Sequence, residues 1–223
     1  MKKTRSVTRR QFVVMAGLVT AGVSSEVHGA DTTPNAKSVL RARRVVTGHD
    51  AKGQSIVLQT GPAPRVVAPK SGPGFAMVEL WATDSPPALP VNHSDPTADM
   101  KAFIPPLSGS RFRLVEFPPA SRRRLSPEAQ RKAAAEFHQE FLMAAPDLGN
   151  SVERDNPGMH TTDSVDYGIV ISGEMTLELD DGATVKLKQG DCVVQNGTRH
   201  RWINHGRRPC VMAFVMIGAV RAR

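Results

Sequence analysis

Apolar and polar positions alternate with a period of two through much of the C-terminal third of the chain. Met175, Leu177 and Leu179 alternate with Thr176, Glu178 and Asp180; beyond Asp181-Gly182, Val185 and Leu187 alternate with Lys186 and Lys188. A period of two puts side chains of equal parity on one face of a strand, and an Asp-Gly pair tolerates the positive φ of a tight turn, so these runs predict an antiparallel hairpin. Gly190-Asp191 and Asn196-Gly197 mark two more turns and delimit strands at 192–195, 199–204 and 209–218. Short strands at this regular spacing predict an all-β fold, an antiparallel barrel or jelly roll.

The rest of the mature chain agrees with that class. Residues 41–48 and 55–61 flank the turn-rich His49-Asp50-Ala51-Lys52-Gly53-Gln54 and read as a hairpin, and 76–83 and 111–117 read as strands. Residues 86–108 are dominated by Pro, Asp, Ser and Asn and read as a long loop. One segment changes period: Ser126-Pro127-Glu128 has the cap, first-turn proline and acid of a helix start. Ala133, Ala134, Phe137, Phe141 and Ala144 follow at helical spacing, which predicts one peripheral helix over 127–145.

Charge changes the picture only after the N-terminus is considered. The 223 residues carry a formal charge of +8, which taken alone suggests an anionic partner. Residues 1–30 hold Lys2, Lys3, Arg5, the pair Arg9-Arg10 with Phe12, and then a short apolar run, and this segment resembles a twin-arginine export signal. Without its five basic residues and single acid (Glu26) the charge falls to +4. The remaining basic residues cluster at Arg41, Arg43 and Arg44 and at Arg122 to Arg124, lack interleaved aromatics and read as solvated edges. Neither nucleic-acid binding nor stable membrane insertion after processing is expected, and the expected location is periplasmic or secreted. Residues 31–223 then form a single domain. Cys192 and Cys210 would meet an oxidising compartment, either as a disulfide or as two buried thiols.

The chemistry sits between residues 155 and 218. His160 is followed by Thr162, Asp166 and Gly173; Gly190 is followed by Asn196-Gly197-Thr198, His200 and Asn204. These spacings resemble the two motifs of the cupin superfamily, with Thr162 where the first motif has its second His, Asp166 in place of Glu, and His200 one residue early. The texture of Glu79-Leu80-Trp81 and Val165-Asp166-Tyr167 is also similar to small single-barrel bacterial cupins. The resemblance implies a cupin-type barrel whose relatives include dioxygenases, decarboxylases, isomerases and plain binding proteins. It also implies the use of edge strands in homodimers.

Parity supplies an independent reason for a site. His160, Thr162, Ser164 and Asp166 share one face of an extended segment, and His200, Trp202 and Asn204 share one face of another. If both faces look into one barrel, two imidazoles and a carboxylate converge, a set that suits Fe, Mn, Ni or Zn. The expectation is therefore a divalent metal on His160, Asp166 and His200, with Tyr167 and Asn204 orienting substrate, and Trp81, Thr162 and Trp202 lining a substrate pocket. Such an enzyme would act on a small carboxylate or carbonyl compound. The alternative is a metal-free binding module for a small molecule or sugar derivative, which the absent second His would suit.

Overall fold

The computed structural model describes residues 42–91, 94–120 and 126–222; the export-signal reading, Arg41, and Arg122 to Arg124 lie outside them. Eleven strands and two helices follow in the order β1 (Arg43–His49), β2 (Ser55–Pro62), β3 (Arg65–Val67), β4 (Ala76–Thr83), β5 (Ser110–Phe117), α1 (Pro127–Ala144), α2 (Pro146–Ser151), β6 (Ser164–Ser172), β7 (Glu174–Glu178), β8 (Thr184–Lys188), β9 (Cys192–Asn196), β10 (Arg201–Ile203) and β11 (Cys210–Gly218). A six-stranded sheet of order β3-β4-β5-β11-β6-β9 faces a three-stranded sheet of order β10-β7-β8, with β1-β2 as a separate hairpin. Every pairing between these strands is antiparallel. This is the expected jelly roll, with one long helix outside it.

Local chemistry fixes the turns that set the register. Asp181 (φ 54°) and Gly182 (φ 73°) both adopt the left-handed geometry that the β7-β8 hairpin needs. Gly173 (φ 81°) turns β6 into β7 against β11, where an added Cβ would lie 2.8 Å from the Pro209 carbonyl oxygen. Only glycine meets both demands there.

The sheets bury one shared core. Val115, Val170, Met212 and Phe214 from the larger sheet meet Met175, Leu177 and Leu187 from the smaller one. α1 starts at Ser126, whose hydroxyl accepts the Ala129 amide, and has Pro127 in its first turn. It lays Phe141 into the same core, with Phe137 stacked on it at 5.8 Å and Phe75 meeting both rings edge-on. On the outer side of β4, a smaller cluster of Ala63, Val78, Leu80 and Val211 packs under Ala42.

Two expectations need correction. Arg44 is not a solvated edge residue: its guanidinium donates to the Leu80 carbonyl at 2.8 Å and pairs with Asp95, with both side chains almost wholly covered. Cys192 and Cys210 do not pair; both are free thiols, the first exposed on the sheet edge and the second buried. Among the described residues no helix is long and apolar enough to cross a membrane.

Candidate functional site

The extended chain before β6 and the chain after β9 meet at an isolated antiparallel bridge between His160 and His200. Each residue's amide donates to the other's carbonyl at 2.9 Å. Bridged residues in an antiparallel pair present their side chains on the same face, so the two imidazoles stand side by side. Their ring centroids are 4.2 Å apart, tilted by 52°. Trp202, two residues on, meets the His200 ring edge-on at 5.5 Å and in turn packs on Phe214 at 5.6 Å. Trp202 therefore forms an apolar wall linking the imidazole pair to the core.

Both rings are oriented by their own chain. His160 Nδ1 lies 3.0 Å from the Gly158 carbonyl and His200 Nδ1 lies 2.8 Å from the Thr198 carbonyl. A carbonyl only accepts, so Nδ1 carries the proton in each ring and Nε2 keeps its lone pair. Burial holds the pKa of His160 below its ordinary value despite the Gly158 carbonyl. Burial, reinforced by the neighbouring His160, brings that of His200 down to about 4. The pair is two neutral nitrogen bases with free Nε2 atoms, the state in which imidazole binds a metal.

The rest of the polar interior continues from His160 along one face. Thr162, Ser164 and Asp166 are all buried, and the Ser164 hydroxyl donates to Thr162 Oγ1 at 2.9 Å. Burial raises the pKa of Asp166, opposed by the nearby Ser164 and the charge of Arg113. Directly across from Asp166 in the β6-β9 ladder stands Gln195, whose Oε1 accepts from Thr198 Oγ1 at 2.8 Å. Asp166 Oδ1 and Gln195 Nε2 are buried without a protein hydrogen-bond partner. Further into the sheet, Arg113 and Glu79 form a buried ion pair across β4 and β5 at 2.9 Å. Burial pushes the Glu79 carboxyl up, against the pull of Arg113 and Arg111.

The expected site residues divide sharply. His160, His200 and Trp202 are in ring contact, whereas Thr162 is buried with its hydroxyl bonded to Ser164. Asp166 shares their face, yet among the described residues no group of three His, Cys, Asp or Glu side chains is close enough to hold one ion. The two-imidazole, one-carboxylate set is therefore not assembled: Asp166 lies six residues beyond His160, and extended chain rises about 3.3 Å per residue.

Tyr167 is half-exposed on the opposite face of β6 from Asp166 and does not enter the site. Trp81 is also turned away. A bulge after Glu79 shifts the register so that Trp81 stands opposite Phe112, on the face away from Arg111 and Arg113. Asn204 is a structural clasp: its Nδ2 donates to the carbonyls of Phe117 (3.0 Å) and Arg208 (2.9 Å), and its Oδ1 accepts the Gly206 amide at 2.8 Å. Each polar atom of its side chain is thus bonded to backbone. Gln195, Arg113 and Glu79 were not singled out from the sequence; the one available signal was the parity of Gln195 in a strand leading to His200.

A cupin domain family model, Cupin_2, matches residues 153–217, the segment that carries both histidines. A cupin-domain-containing oxidoreductase, fogC, from Aspergillus ruber is 28% identical over 204 residues, covering 89% of this chain and 82% of its own. One of the same description, virC, from Hypocrea virens is 28% identical over 197 residues, covering 85% and 82%. Among solved structures, a Cupin 2 conserved barrel domain protein from Salinispora arenicola aligns at 15% identity and a TM-score of 0.35, over 68% of this chain and 82% of that one. By these matches the chain is similar to cupin-domain proteins over most of its length, and to the cupin domain itself over residues 153–217.

Proposed function

We propose that this cupin-type chain is an exported enzyme that holds a divalent metal ion at the His160 and His200 Nε2 atoms and acts on a small molecule bearing a carboxylate or carbonyl group. One observation carries the reading: both Nδ1–H groups are spent on backbone carbonyls, which leaves the Nε2 atoms of two adjacent, neutral imidazoles as free donors. The two imidazoles fit two positions of an open site, and Fe, Mn, Ni and Zn all accept such donors. Bound there, the ion supplies Lewis-acid or oxygen-activating chemistry. The similarity to the fogC and virC oxidoreductases supports an oxidoreductase class.

The chain's own residues do the positioning. The Gly158 and Thr198 carbonyls fix the ring planes, and Trp202 packs edge-on against His200. The orphaned Gln195 Nε2 is a donor for a substrate oxygen, and the orphaned Asp166 Oδ1 accepts a substrate hydroxyl or amide. These two groups also favour the second reading, a metal-free binding module in which they, with the imidazoles, capture the ligand.

Metal content and affinity, measured on the intact protein and on His160→Ala and His200→Ala, test the proposal. One ion per chain is expected, with affinity falling at least tenfold in each variant. No stoichiometric uptake of Fe, Mn, Ni or Zn would contradict it and leave the binding module.

A further inference from the structure

Two buried polar atoms on the inner face of the large sheet have no partner among the described residues, and their side chains stand opposite each other. Asp166 is 7% exposed and Gln195 5%, and the two are direct partners in the β6-β9 ladder. Direct partners in an antiparallel pair present their side chains on one face, with Cβ atoms about 5 Å apart. The orphaned atoms are of opposite kind: Asp166 Oδ1 accepts a hydrogen bond and Gln195 Nε2 donates one. Thr198 Oγ1 donates to Gln195 Oε1 at 2.8 Å, which leaves the Nε2 end of that amide as the open one. A buried polar group left unpaired is costly, so two on one face mark a place where something else bonds.

The surroundings narrow what that is. The inner face runs from Gln195 and Asp166 through Met216 to Arg111, with Arg113 two residues further along β5. Neither arginine is free to answer Asp166. Arg111 donates to the carbonyls of Ala102, Thr83 and Ser110 and pairs with Asp84; Arg113 pairs with Glu79 and donates to the Phe103 carbonyl. The nearer neighbours are apolar. Met216 stands beside Asp166, and the Phe214 ring covers Gly168, where an added Cβ would lie 3.0 Å from Phe214 Cε1. A ligand carboxylate would meet the Asp166 carboxylate here with neither arginine to offset the repulsion, so the group that fits is neutral. It must also carry an acceptor and a donor on one edge.

We infer that Asp166 and Gln195 together bind a neutral carbonyl with an N–H or O–H beside it on the same edge, as in a lactam or an α-hydroxy ketone. The carbonyl oxygen accepts from Gln195 Nε2, and the neighbouring N–H or O–H donates to Asp166 Oδ1, so one ligand satisfies both atoms. Such a pair discriminates strongly, because an analogue without the donor leaves a buried carboxylate unpaired. That this ligand is the substrate rests on the proposed function, within which the pair selects a carbonyl over a carboxylate; the pair itself does not depend on the imidazoles.

The test uses the full-length protein, freed of metal, and ligand-observed NMR with four probes: δ-valerolactam, N-methyl-δ-valerolactam, acetoin and butanone. At least one donor-bearing probe, the lactam or acetoin, is expected to bind roughly tenfold or more tightly than its donor-less counterpart, and which of them does so tells N–H from O–H. Gln195→Glu replaces the donor with an acceptor of the same shape and is expected to weaken that binding roughly tenfold. Asp166→Leu is expected to abolish the preference for the donor. If either variant fails to fold, the four probes on the parent protein still decide. Equal affinity within both probe pairs overturns the inference, and so does the absence of binding at millimolar concentration, since buried water would then satisfy the two atoms. Metal uptake without a probe preference would leave the proposed metal site standing and remove this ligand class; a preference without metal uptake would keep the ligand class and remove the metal.

Discussion

At the scale of single residues, the imidazole pair makes the sharpest claim. His200 has its pKa lowered to about 4 in the fold, mainly by burial, against an ordinary value of about 6.5 in the unfolded chain. Between those values the unfolded state binds more protons, so this residue's contribution to stability is full above pH 6.5 and is lost as the pH falls towards 4. The stability of the metal-free protein relative to His200→Gln is expected to fall by about 2–3 kcal/mol between pH 7 and pH 4.5; chemical denaturation across that range measures it. Asn204→Ala strands two backbone carbonyls and an amide and is expected to destabilise the fold by about 2–3 kcal/mol with metal binding retained, read by denaturation alongside metal titration.

The residue scale also shows what could be seen beforehand. His160 and His200 were legible because parity along an extended chain is a covalent fact. Asn204 was not, although its parity was right, because its partners are backbone groups of Phe117 and Arg208 brought in by tertiary structure. Asp166 was legible as a buried inward residue and misleading as a ligand, since a shared face does not give a shared point in space.

Among the elements, the clearest were those with a long period. α1 occupies Pro127–Ala144, close to the expected 127–145, because cap, first-turn proline and the phenylalanine spacing all agree. β4 coincides with its expected span, yet the bulge after Glu79 reverses the facing of everything beyond it. One inserted residue turned Trp81 from a pocket wall into part of the outer face, and no alternation pattern announces such a break. β3 and α2 were missed: three and six residues are too few to show a period, and both lie among prolines. α1 is held to the barrel chiefly by its aromatic face. Phe141→Ala is expected to lower stability by about 3 kcal/mol while leaving metal affinity within twofold, measured by thermal unfolding and metal titration.

For the molecule as a whole, a polar system lies inside an otherwise apolar sandwich. Glu79 and Arg113 are paired where water does not reach, with Arg113 also acting on Asp166. Removing one member of a buried pair strands the other, so Arg113→Met is expected to cost about 3–5 kcal/mol, more than the isosteric Glu79→Gln; denaturation of both variants checks the order. Net charge, by contrast, said little about function at this scale. The state of the two imidazoles is decisive, and long-range proton–nitrogen NMR at pH 6 reads it ring by ring while zinc is added. Both rings are expected to be neutral and protonated at Nδ1, with both Nε2 signals shifting together at one equivalent of zinc. A charged ring, a proton on Nε2, or zinc that moves neither signal would contradict it.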